Sequence, residues 1–297
     1  MRGPFGRSPL LASLRVASLV RRAPNQRAGR SAGTLTPMSA TSVELDPAVL
    51  GAFEAEGWAV IADALTETEV AHARAELVAA AQASEDRGVP TRIDALDPGG
   101  RNVRVYDLIE HSPVFADLVT HPSVLPYVER LLDGDLAVSN FTANIALPGS
   151  GSMNAHNDQS TVMPEPWPTR YTMNAIWCLD DVDEANGATR YLPGSHHLKC
   201  FADVPDDPKA GMVPFEAAAG SVILMDGRLW HTSGENTSTD RERALLFAFY
   251  TRSFLRHQNN WWRALSPETR SRLDPQLKEW LGLRGGNLGY GTYLAGG

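Results

Sequence analysis

At Asp133 the hydrophobic pattern of the chain changes period, and this change limits the fold more than any other feature. Upstream, apolar residues recur with helical spacing: Val49, Leu50, Phe53 and Trp58 follow Asp46-Pro47, a helix start with proline in its first turn. Thr66-Glu67-Thr68-Glu69 has the form of a capping box and opens an alanine-rich helix toward Ala83. A strand over Trp58 to Ile61 is expected between them. The Asp-, Gly- and Pro-rich stretch from Glu85 to Gly100 reads as a loop, and two short helices are expected over Pro113 to Val119 and Pro122 to Leu132. Downstream the period is two. Strands are expected at Leu136–Leu147, Thr172–Leu179, Ala188–Leu192, Ser221–Met225 and Ala244–Tyr250, parted by Pro, Gly, Asn and Asp. Many short strands after a helical third imply an α+β, mainly β chain, a jelly-roll or cupin-like double sheet backed by N-terminal helices.

Charge divides the chain a second time. Residues 1–43 hold seven arginines and no acid, so this leader carries +7, and with −8 overall the remainder carries −15. A basic, acid-free, serine-containing leader reads as a mitochondrial transit peptide or as an extension before a second start at Met38. Residues 44–297 are read as one domain. An acidic body with three lysines argues against nucleic acid, which needs clustered cations on one face. The stretch Leu10–Val20 is too short for a membrane span, for which a bilayer demands roughly 20 apolar residues. Two cysteines, Cys178 and Cys200, make no disulfide framework, and a reducing compartment is expected: cytoplasmic, or the mitochondrial matrix if the leader is a targeting peptide.

Chemistry concentrates in His156-Asn157-Asp158. On extended backbone residues i and i+2 share a face, so His156 and Asp158 project together and Asn157 points away. Alone, such a pair is more often merely solvated. His231 changes the balance, because it ends the strand-and-turn Gly220–Trp230 and adds a second imidazole from a distant strand. Two histidines and one carboxylate are the facial triad that holds non-haem Fe(II) and leaves positions open for catalysis. Zinc stays open on ligand type alone. Arg243, directly before the apolar strand Ala244–Tyr250, can grip a carboxylate bidentately, as an iron-chelating dicarboxylate such as 2-oxoglutarate requires. Arg241 shares its strand parity.

The segment Leu136 to Arg252 resembles the phytanoyl-CoA dioxygenase family of Fe(II)/2-oxoglutarate-dependent oxygenases. The resemblance lies in H-N-D-Q at 156–159, N-A-I-W-C-L-D-D at 174–181, E-A-N-G-A-T-R-Y-L-P-G-S-H at 184–196 and H-T-S-G-E-N-T-S at 231–238 leading to Arg243. With F-E-A-E-G-W-A-V-I at 53–61 it extends over about residues 45–262. It implies a double-stranded β-helix with iron on His156, Asp158 and His231, and 2-oxoglutarate on Arg243 with Ser233 as hydroxyl partner. Trp177 is expected to pack on the cosubstrate, or else in the core. Asp158 leaves no vacancy for chloride, so O2-dependent hydroxylation of an unactivated C–H, with release of succinate and CO2, is expected rather than halogenation. The substrate expected is a small natural product, amino acid derivative or acyl compound, handled by a monomer or homodimer. A phytanoyl-CoA-type acyl-CoA 2-hydroxylase and a non-catalytic jelly-roll binding protein are the alternatives. Met153, Gln159 and Trp167 are candidate substrate contacts, and the segment from Arg256 to Trp262 reads as a lid or as helix packing.

Overall fold

The computed structural model describes residues 45–97 and 99–283, so the leader expected over 1–43 lies outside the described residues. Helix α1 (Pro47–Glu56) starts where the Asp46 carboxylate accepts the Ala48 N–H, and it ends at Gly57, whose φ of 78° returns its N–H to the Phe53 carbonyl. Strand β1 (Trp58–Ile61) follows. Helix α2 (Glu67–Asp86) carries the expected capping box, with both reciprocal bonds between Thr66 and Glu69, and it buries Ala73, Leu77, Ala80 and Ser84. Strand β2 (Asn102–Val105) and the one-turn helix α3 (Leu108–His111) follow, neither visible in the sequence pattern. Next come α4 (Pro113–Val119) and α5 (Leu125–Leu131). The last helix begins three residues later than expected, because Pro122–Val124 form a turn whose N–H groups fold back on the carbonyl and ring nitrogen of His121.

The strands are β3 (Ala137–Ala146), β4 (Thr172–Cys178), β5 (Arg190–Tyr191), β6 (Val213–Pro214), β7 (Val222–Asp226), β8 (His231–Thr232) and β9 (Arg243–Thr251). The short helices α6 (Trp261–Ala264), α7 (Pro267–Arg272) and α8 (Pro275–Trp280) close the described chain. Six strands form one sheet in the order β1-β7-β4-β9-β3-β2, and three form a second in the order β6-β5-β8; every pairing is antiparallel. This is the expected jelly roll.

Register divides the large sheet into two faces. Met173, Ala175, Trp177, Leu246, Ala248 and Tyr250 pack with the buried residues of α1 to α5, including Phe53, Leu77, Phe115 and Val128. The alternate residues Ile176, Cys178, Ile223, Met225 and Leu245 meet Tyr191 and Phe215 of the small-sheet side. Helices therefore cover one face, and the other faces the interior between the sheets. Trp261 is buried and its indole N–H donates to the Val138 carbonyl, so this part of the expected lid is helix packing, whereas Trp262 is half exposed. Among the described residues no helix is long and apolar enough to cross a membrane.

Candidate metal centre

His156 and His231 face each other across an antiparallel bridge. The His156 N–H donates to the His231 carbonyl at 3.0 Å and the His231 N–H returns to the His156 carbonyl at 2.8 Å. In place of the expected strand, only this single bridge forms, and Asp158 already starts a 3-10 turn over Asp158–Thr161. The shared face survives because the intervening Asn157 is extended, with φ −123° and ψ 150°. Asn157 is buried on the opposite side.

Each imidazole is oriented by its own backbone. His156 Nδ1 lies 3.0 Å from the Asn154 carbonyl and His231 Nδ1 lies 2.9 Å from the Leu229 carbonyl. A carbonyl can only accept, so Nδ1 carries the proton and Nε2 keeps its lone pair free. Both Nε2 atoms point to one oxygen: Asp158 Oδ1 is 3.8 Å from His156 Nε2 and 3.9 Å from His231 Nε2. The ligand atoms of the three residues all lie within 4.8 Å of one another. Burial holds the His231 imidazole below its ordinary range despite the opposing attraction of Asp158, so it is neutral and able to donate a lone pair at pH 7. Asn174 of β4 donates its amide to the other carboxylate oxygen, Oδ2, at 2.6 Å.

Turn chemistry aims these groups. The fully buried Asp226, at the end of β7, accepts from the backbone and guanidinium of Arg228 and from Arg170 Nε, which fixes the reversal leading to His231. Burial opposes its ionisation, but the two arginines keep its carboxyl below the usual range. Gln159 is completely buried; its amide donates to the Thr169 carbonyl and accepts from the Tyr171 N–H, which ties the turn after Asp158 to the start of β4. Trp167 is likewise buried, with its indole on the Val162 carbonyl, so both support the loop.

Arg243 begins β9 with only 1% of its surface exposed, and its Nε and Nη2 are buried without a partner. Burial pulls this guanidinium down to about 10, so it remains a cation at neutral pH. It shares the interior face with Leu245 and Cys178, and burial pushes the Cys178 thiol up to about 12. Arg241 is instead paired with Asp183 at 2.6 Å and exposed. Ser233 accepts the Met153 N–H at 3.1 Å, which leaves its hydroxyl proton available. Met153 otherwise holds Arg104, whose Nη2 is 3.2 Å from its sulfur.

Of its two expected places, Trp177 takes the core rather than the cosubstrate. It belongs to the cluster under the helices and stands edge-on to His121, with ring centroids 5.3 Å apart. It therefore lies on the face away from Asn174 and Asp158 and serves as core, not as a wall for a cosubstrate. Asn174 and Arg104 are polar groups of the interior face that the sequence reading passed over. For Arg104 the signal was available, an arginine alternating with valines in N-V-R-V. For Asn174 it was the one amide in an otherwise apolar strand.

The two imidazole nitrogens and one carboxylate oxygen form an open, three-donor set suited to a divalent metal that keeps further positions for exchangeable ligands. The model of the family described as phytanoyl-CoA dioxygenase (PhyH) matches residues 53–244. The dioxygenase af480 of Aspergillus fumigatus is 45% identical over 234 residues, which cover 79% of this chain and 75% of that protein. Among solved structures, the non-heme alpha ketoglutarate dependent carbocyclase SnoK from nogalamycin biosynthesis is similar with a TM-score of 0.59 at 23% identity, over 76% of this chain and 93% of that one. HygX from Streptomyces hygroscopicus, with nickel and 2-oxoglutarate bound, has a TM-score of 0.57 at 19% identity, over 73% and 91%.

Proposed function

Because the chain belongs to the phytanoyl-CoA dioxygenase family, we propose that it is an Fe(II)- and 2-oxoglutarate-dependent dioxygenase that hydroxylates an unactivated C–H of a small organic substrate, with release of succinate and CO2. The observation that carries this reading is the convergence of His156, Asp158 and His231 within 4.8 Å, together with a guanidinium, that of Arg243, buried with two nitrogens unpaired. The donor set fits iron: two imidazole nitrogens and one carboxylate oxygen would hold it and leave further positions for exchangeable ligands. When bound, iron and 2-oxoglutarate supply the activation of O2 and the oxidising power, which no side chain here has.

The protein's own part is orientation and exclusion of water. His156 and His231 hold the metal through Nε2, their Nδ1 protons staying on the Asn154 and Leu229 carbonyls throughout. Arg243 binds the distal carboxylate of 2-oxoglutarate, and the Ser233 hydroxyl donates to it. A buried guanidinium with Nε and Nη2 unpaired gains more from such a carboxylate than an exposed one would. Apolar packing from Ile176, Leu245 and Phe215 keeps bulk water out of the space between the sheets. With Asp158 filling the carboxylate position, hydroxylation is favoured over halogenation.

The test is conversion of 2-oxoglutarate to succinate by purified protein with Fe(II), ascorbate and O2, including turnover uncoupled from any substrate. His231→Ala is expected to abolish it, and chelation should do so reversibly, with Fe(II) but not Zn(II) restoring activity. An oxygen-independent reaction supported by zinc, or no succinate from the folded wild type, would overturn the proposal.

A further inference from the structure

We propose that Asn174 is a positioning residue for the metal, fixing Asp158 so that a single carboxylate oxygen meets both imidazoles. The inference rests on the metal reading above and concerns this chain's own second layer of contacts. Asn174 Nδ2 lies 2.6 Å from Asp158 Oδ2, while the other oxygen, Oδ1, is the one 3.8 and 3.9 Å from the two Nε2 atoms. The carboxylate is thus divided: one oxygen is occupied by the amide and the other is turned to the histidines. A carboxylate can only accept, so the amide nitrogen must be the atom that faces it.

Asn174 is placed rigidly for this role. It sits in the interior of β4, paired with Met225 of β7 on one side and Phe249 of β9 on the other, and only 6% of its surface is exposed. Its apolar neighbours show what simple packing would select here. An amide in their midst carries a cost, since its own Oδ1 is buried with no partner. The bond to Asp158 is the compensating interaction, and it acts on a residue that begins the short turn Asp158–Thr161. Without that amide, Asp158 can rotate and offer both oxygens, or neither, to the same ion. Polar partners that orient metal ligands typically contribute 10- to 100-fold to metal affinity or activity.

The experiment titrates metal-free, full-length protein with Co(II), whose absorption reports both affinity and coordination, and measures unfolding of the same metal-free samples. Asn174→Ala removes the amide, and Asn174→Leu removes it while keeping the volume. Both are expected to bind Co(II) about 10- to 100-fold more weakly, with an altered spectrum and an unfolding midpoint equal to or above that of wild type. A folded variant with wild-type affinity and spectrum overturns the positioning role and leaves the metal reading intact. Loss of folding in both variants also overturns it, making Asn174 structural. If wild type does not bind Co(II), or His231→Ala binds it equally well, the metal reading itself falls.

Discussion

Arg243 is the residue at which stability and function oppose each other most directly. A cation buried to 1% exposure, with two nitrogens lacking partners, costs folding energy that a metal-free, ligand-free protein does not recover. Arg243→Met is therefore expected to leave the metal-free protein as stable as wild type or more so, by up to about 4 kcal/mol, because replacing a buried charge with an apolar side chain of similar length is often stabilising. The same variant should lose the rise in unfolding temperature that 2-oxoglutarate gives metal-loaded wild type. Thermal unfolding with and without 2-oxoglutarate checks both halves; a metal-free variant several kcal/mol weaker than wild type would show that the guanidinium is satisfied by groups the geometry does not reveal. In sequence this arginine was legible from its place at the mouth of an apolar strand. The choice between the two places expected for Trp177 was not, and the reason is physical: all seven residues of β4 are buried, so alternation no longer tells one face from the other. Only register separates Asn174, beside Asp158, from Trp177, beside His121.

Among elements, the reversal between β7 and β8 positions the most chemistry with the fewest residues. Gly227 donates to the Thr172 carbonyl at 2.9 Å and accepts from the Gln159 N–H at 2.8 Å, so it clamps the start of β4 to the turn carrying Asp158. A Cβ at this position would fall 1.8 Å from Thr172 Oγ1 and 2.7 Å from the Thr172 carbonyl oxygen, which is backbone and cannot swing away. Gly227→Ala is expected to cost about 3 kcal/mol, the upper end of what overpacking usually costs, and to weaken metal binding in the protein that still folds. Denaturant unfolding and Co(II) titration would show it, and a variant equal to wild type in both would refute the clamp. By contrast Thr66→Ala, which deletes one half of an exposed capping box, should cost only about 1 kcal/mol in denaturant unfolding and leave metal affinity untouched. The start of α1, the capped start of α2 and most large-sheet strands were legible because caps and alternation are local. Strand β2 was hidden in a Gly- and Asp-rich neighbourhood, and β6 and β8 are two residues each, too short for any period to register, whereas the strand expected over Ala188–Leu192 forms only at its centre, as β5. The turn at Asp158 escaped for the same reason: what holds it is Gln159 reaching to Thr169 and Tyr171, a contact no local pattern encodes.

On the scale of the whole molecule, acid should act on the histidines before the carboxylates. Five of the eight histidines have imidazoles held below their ordinary value of 6.5, with burial the leading cause in each. Four of these lie outside the candidate metal centre. His111 lies beside Arg87 and Glu110, and His121 beside Glu69 and Asp117. His196 is surrounded by His197, Asp226 and Arg228, and His257 responds to burial alone. A group with a depressed folded-state value is neutral in the fold but binds a proton in the unfolded chain once pH falls below 6.5. The unfolded state then holds more protons, and stability declines as pH falls through that value. Asp107 and Asp180 are raised by burial and act in the opposite sense, from their raised values down to the ordinary 3.8, so they offset part of the loss at the acid end. Metal-free protein is therefore expected to be most stable near or above pH 7 and to lose stability steadily from about pH 6.5 toward pH 5, by an amount readable in denaturant midpoints taken at half-unit steps. His196 is one component that can be isolated. It is 2% exposed, its ring nitrogens have no side-chain partner and lie near the Glu54 backbone, and it packs against Gly57 at the end of α1. Replacing it with Phe should flatten part of the decline, and an unchanged slope would mean that the acid response arises elsewhere.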